Sequence, residues 1–107
     1  MISDDRLTKA LTYLAETDDP CAMAKSLMDG LENQKKSVLS IAFLQADAKT
    51  VAEREAIAYA SETYIAHIGK LEAATYDYET MRNKRLTEEL IIECWRSMNA
   101  NKRRGNL

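Results

Sequence analysis

One proline, three glycines and one histidine are all that 107 residues contain of these types, and each scarcity excludes something. With so few residues that favour turns, a fold of many short strands and tight hairpins has little to work with, and long unbroken elements are expected. A single histidine, His67, leaves triad and metal chemistry without material, and a histidine at such a helical position is more often at the surface or hydrogen-bonded than catalytic. The two cysteines, Cys21 and Cys94, lie far apart, without a C-x-x-C pattern or a neighbouring histidine, so reduced thiols are expected rather than a zinc or redox site. Cys21 falls just inside an expected helix start, where a dipole can lower a thiol pKa; a small apolar residue in a first turn is the commoner explanation.

Long hydrophobic runs are also missing. No apolar stretch approaches the roughly 18 to 20 residues of a membrane span, and the opening MISDDRLTKAL is acidic where a signal peptide would be basic. The expected location is the cytoplasm, with no membrane partner. There is no G-x-x-x-x-G-K-[ST] loop, no G-x-G-x-x-G and no H-E-x-x-H. Carboxylate pairs such as Glu53 with Glu55, Asp77 with Glu79, and Glu88 with Glu89 are one or two residues apart, so they point to different faces of a helix and read as solvated charge. No catalytic residue, metal, cofactor or small-molecule substrate is expected.

What the chain does have is a globular balance, 46% hydrophobic and 30% charged, in a length that suits one domain over residues 1–107. Ser3 is placed to cap a short helix over 3–19, with Asp4 and Asp5 in its first turn and Leu7, Ala10, Leu11 and Leu14 on one face. "TDDPC" predicts a stop near Thr17 and a new start at Pro20, whose missing N–H costs nothing at a first helical position. A long helix over 20–46 follows, carrying Ala24, Leu27, Met28, Leu31, Val38, Ile41, Ala42 and Leu44. Gly30 in its interior predicts a bend or, preferably, a closely packed neighbouring backbone.

Thr50 and Glu53 in "TVAE" have the spacing of a capping box, so a short helix over 50–60 is expected. Ser61 is read as a break before the longest helix, 62–99, which at 1.5 Å per residue would reach roughly 50 Å. Ile68, Leu71, Tyr78, Leu90, Ile91 and Trp95 mark its packing positions. Pairing with 20–46 in an antiparallel hairpin would leave part of it uncovered, so an all-α, coiled-coil-like hairpin that assembles into a homo-oligomer is predicted.

Charge is unevenly placed. Residues 1–81 hold eight Lys or Arg against fourteen Asp or Glu, net −6, whereas residues 82–107 hold seven against three, net +4. The basic end, "RNKRLTEELIIECWRSMNANKRRGNL", offers Arg82, Lys84, Arg85, Arg96, Lys102, Arg103 and Arg104 as phosphate contacts, with Tyr78 or Trp95 available for base stacking. The plainer reading pairs Arg85 with Glu89, buries Trp95 in the core and sets the basic tail, 100–107, against the helix dipole.

"TVAEREAIAYASETY", followed by "LEAATYDYETMRNKRLTEELIIECWRSMNANKR", resembles a family of small, poorly characterised phage and prophage proteins. These share a T-x-x-E-R-E-A-x-A-Y-A block, then a long helix with E-x-x-R and I-E-x-W-R-S-x-x-A-N-x-R. The match covers Thr50 to Arg103, at Thr50, Glu53, Arg54, Glu55, Tyr59, Glu79, Arg82, Ile92, Glu93, Trp95, Arg96, Ser97, Asn101 and Arg103. Many members of that family carry Pro where this chain has Glu62, which supports the break after Ser61. The resemblance implies an accessory role among phage recombination and replication genes, with DNA or a recombination or replication protein as partner. It supplies no catalytic signature. Arg54, Arg82 and Arg96 have no evident structural duty in the sequence. Two functions follow as expectations: a non-enzymatic accessory protein that binds DNA through its basic end, or a helical protein-interaction module, adaptor or inhibitor, that binds no nucleic acid.

Overall fold

In a computed structural model the described residues, 1–105, form three helices and no strand: α1 (Asp4–Gln45), α2 (Val51–Tyr59) and α3 (Glu62–Gly105). Their ends follow local chemistry. Ser3 Oγ accepts the Arg6 amide at 3.1 Å, and Asp4 and Asp5 sit in the first turn, where a helix dipole favours anions. Thr50, extended at φ −110° and ψ 155°, accepts the Glu53 amide at 3.1 Å and starts α2. Ser61 closes one helix and opens the next: its hydroxyl donates to the Ala58 carbonyl at 2.7 Å and accepts the Tyr64 amide at 3.3 Å.

Three expectations are corrected. The first is the break at Pro20, because α1 runs through it without interruption for 42 residues, so the helices expected over 3–19 and 20–46 are one. A proline inside a helix removes an N–H and crowds the carbonyl four residues earlier. Here both Pro20 and Glu16 are exposed, so water can take the released carbonyl. The turn just upstream is also fastened from outside, as described below. Cys21 is consequently mid-helix rather than at a helix start. The second correction concerns Gly30, where an added Cβ would meet nothing within 4 Å, so no backbone packs closely there. The third is the tail expected over 100–107, which is helical as far as Gly105; Asn106 and Leu107 lie outside the described residues.

The chain divides into two compact units, Met1–Met23 with Glu79 onward, and Ala24–Tyr78. In the first, α1 supplies Leu7, Ala10, Leu14, Thr17 and Cys21, and α3 supplies Met81, Arg85, Glu88, Ile92 and Trp95, every one buried or half-buried. Steps of three and four residues alternate, the period of a two-helix coiled coil. The pairing is antiparallel, since Asp4 touches Trp95 while Thr17 touches Arg85. The early part of α1 therefore covers the stretch of α3 that the sequence leaves overhanging.

In the second unit, Ala24, Met28, Leu31, Lys35, Val38 and Ala42 of α1 share the same spacing, as do Tyr64, His67, Leu71, Ala74 and Tyr78 of α3. Here α2 adds the fully buried Ala58, and Tyr59 meets Tyr64 edge-on at 5.5 Å. Arg54 has a structural duty after all: its Nε donates to the Ala48 carbonyl at 3.1 Å, and its guanidinium lies 5.8 Å from the Phe43 ring centre. Among the described residues no large side chain is completely buried, because the seams are thin and rich in alanine.

Candidate interaction site

Arg85 decides how the basic end should be read. It stands on the α3 seam, and its side chain is only 19% exposed. Its Nη1 donates to the Leu14 carbonyl at 2.8 Å and to Thr17 Oγ1 at 2.5 Å, and its Nη2 reaches Asp18 Oδ1 at 2.6 Å. Thr17 in turn donates to the Tyr13 carbonyl at 2.7 Å. The planar fork of a guanidinium suits such a multiple grip. It straps the turn of α1 immediately before Pro20, and the expected pair with Glu89 is replaced by this clasp. Arg85 is thereby withdrawn from the set of phosphate contacts.

The remaining cations divide into two groups. Arg82 lies 3.6 Å from Glu79 and Arg96 lies 3.1 Å from Glu93, each one helical turn away. Arg82, Arg96 and Arg103 do share a flank of α3, at spacings of fourteen and seven residues, but Glu89 occupies the same flank between the first two. The row reads positive, negative, positive, positive, which breaks a continuous phosphate track. Lys84, Lys102, Arg103 and Arg104 are exposed and make no ion pair among the described residues; the last three fill the final turn, where cations complement the dipole.

Neither expected stacking aromatic is free. Tyr78 faces the α1 seam, and Trp95 is half-buried with its Nε1 3.4 Å from Asp4 Oδ1. A second tie between these helices joins Arg6 Nη2 to Glu88 Oε1 at 2.8 Å. Glu88 Oε2 is 2.7 Å from the same nitrogen but makes no hydrogen bond. His67 is buried, and its Nε2 lies 2.7 Å from the Leu31 carbonyl oxygen. A carbonyl only accepts, so Nε2 carries the proton and the ring acts as a link between helices.

The residues of the expected packing set differ in burial. Ile68, Leu71, Tyr78, Ile91 and Trp95 are half-buried, whereas Leu90 is 65% exposed and is not covered by the chain's own helices. Leu86, Cys94 and Met98 are exposed on the same helix. In the Ala24–Tyr78 unit, a shallow groove of about 380 Å³ is lined by Leu39, Phe43, Leu44, Glu55, Ala58 and Tyr59. A smaller cleft of about 260 Å³ lies between Met1–Asp4 and the Trp95–Lys102 stretch. Both are open to solvent. Among the described residues no three His, Cys, Asp or Glu side chains converge as a metal site would need, and no helix is long and apolar enough to cross a membrane. No family model, no curated protein and no solved structure matches this chain.

Proposed function

We propose that this chain is a non-enzymatic helical interaction module that works by presenting apolar helix faces to another protein, its own copies first among them. The observation that carries this reading is the exposed apolar face of α3, with Leu90 at 65% and Leu86 and Met98 beside it, on a hairpin whose seam completely buries no large side chain. Exposed apolar surface of this kind is unfavourable in water and gains from being covered. An accessory role beside a phage recombination or replication protein is compatible with such a module.

Nucleic-acid binding stands as the second reading because Lys102, Arg103 and Arg104 are consecutive, exposed and unpaired among the described residues. Sedimentation velocity over a concentration series tests the first reading: an assembly heavier than one chain is expected, and a monomer throughout would count against self-association. Fluorescence anisotropy with labelled single- and double-stranded DNA across a salt series tests the second. Binding at low salt that disappears on replacing the three terminal cations with alanine would favour it.

A further inference from the structure

The face of α3 turned away from α1 contains a strip without a single charge over four turns, in a chain that is 30% charged. It consists of three rows at seven-residue spacing. The middle row is Thr87, Cys94 and Asn101; one flank holds Leu90 and Ser97, the other Ile91 and Met98. Ile91 is half-buried, and Met98, 36% exposed, borders the cleft lined by Met1–Asp4; the others are exposed. At the ends of the strip the flanks continue as Asn83 and Arg104 on the first side, and as Lys84 and Gly105 on the second. The strip is thus bounded by cations, and its midpoint is Cys94.

We propose that this strip is an isologous interface on which a second copy of the chain docks with its α3 antiparallel, the two-fold axis passing beside Cys94. The inference rests on the interaction-module reading and names its partner.

A two-fold axis between antiparallel helices keeps each row on its own flank, so every residue meets a member of its own row. Centred on Cys94, Thr87 faces the partner's Asn101, Ile91 faces the partner's Met98, and Leu90 faces the partner's Ser97. Cys94 faces the partner's Cys94. The cations find no like charge: Lys84 falls opposite the partner's Gly105, and Arg104 opposite the partner's Asn83. Sliding the copies by one heptad spoils this arrangement. In one direction Arg104 lands on the partner's Leu90, and in the other Lys84 lands on the partner's Met98. Of these three heptad registers, the one centred on Cys94 alone sets no cation against an apolar side chain, and juxtapositions of that kind are what select a partner and a register. A charged partner such as nucleic acid finds nothing on this strip to attract it.

The test uses the full chain carrying Cys21→Ser, so that Cys94 is the sole thiol, treated with a short bismaleimide cross-linker alongside sedimentation velocity. A cross-linked dimer is expected, and adding Leu90→Lys or Met98→Lys should raise the dissociation constant by at least about tenfold. Leu90 is 65% exposed and Met98 36%; helical circular dichroism that matches the parent chain certifies that each variant folds, and the Leu90 variant, at the more exposed site, carries the test if the Met98 variant does not. Association that persists in both variants, without cross-linking through Cys94, would overturn this interface while leaving the interaction module in place. A monomer at all concentrations would overturn the interface and direct the search for a partner to other proteins.

Discussion

Replacing Arg85 with alanine should destabilise the hairpin rather than weaken binding to a nucleic acid. The hydrogen bonds to Leu14 and Thr17 have part-buried acceptors and contribute about 0.5 to 1.5 kcal/mol each. The bond to Asp18 is discounted to roughly 0.2 to 1 kcal/mol, because that carboxylate is 69% exposed and screened by solvent. Loss of the aliphatic stem at the seam adds about 1 kcal/mol. Arg85→Ala is therefore expected to lower the unfolding free energy by about 2 to 5 kcal/mol in urea titrations followed by circular dichroism. Arg85→Met, which retains the stem, should recover part of that loss. A double-mutant cycle with Thr17→Val should return a coupling of roughly 0.5 to 3 kcal/mol. Unchanged stability in Arg85→Ala, together with loss of DNA binding, would refute the clasp and restore Arg85 to the phosphate contacts.

Two further substitutions probe α1. Pro20→Ala should raise the unfolding free energy by about 2 to 3 kcal/mol, the cost of an interior helical proline. A fall in stability would mean that Pro20 begins a helix, as "TDDPC" suggests. Gly30→Ala should stabilise by about 0.5 to 1 kcal/mol, because a methyl group there enters open space; a loss on thermal unfolding would reveal a close neighbour.

The caps were legible because they are local chemistry: Thr50 to Glu53, Ser3 to Arg6 and Ser61 to Tyr64 each act within four residues. The all-helical class followed from the shortage of turn residues. The seam was harder to read, because half of its message is written in residues that do not look like core. Thr17, Lys35, His67, Arg85 and Glu88 hold positions where a coiled coil ordinarily shows leucine or valine, so the expected apolar stripes left them out and widened to take in Leu11, Leu27, Ile41 and Leu90, all of which are exposed. Pro20 misled for a related reason. Its local signal is sound, and it is overruled by an arginine 65 positions later in the chain, a relation that no window of neighbouring residues contains. The basic end was legible as charge and illegible as geometry, since Arg85 looks like its exposed neighbours until its acceptors are in place.

The way the units are threaded bears on the order of folding. Ala24–Tyr78 is contiguous, whereas the unit holding both ends of the chain is assembled from two segments separated by those 55 residues. Closing that unit first would mean joining the ends of a free loop of that length, at an entropic cost of about 3.5 kcal/mol beyond the fixed term. Once the contiguous unit has formed, the intervening chain is no longer a free loop and most of that cost is gone. The hairpin around His67 is therefore the natural nucleus, and the segments bearing Arg85 and Trp95 zip up late. In kinetic terms, the clasp acts mainly on how fast the protein comes apart and little on how fast it forms.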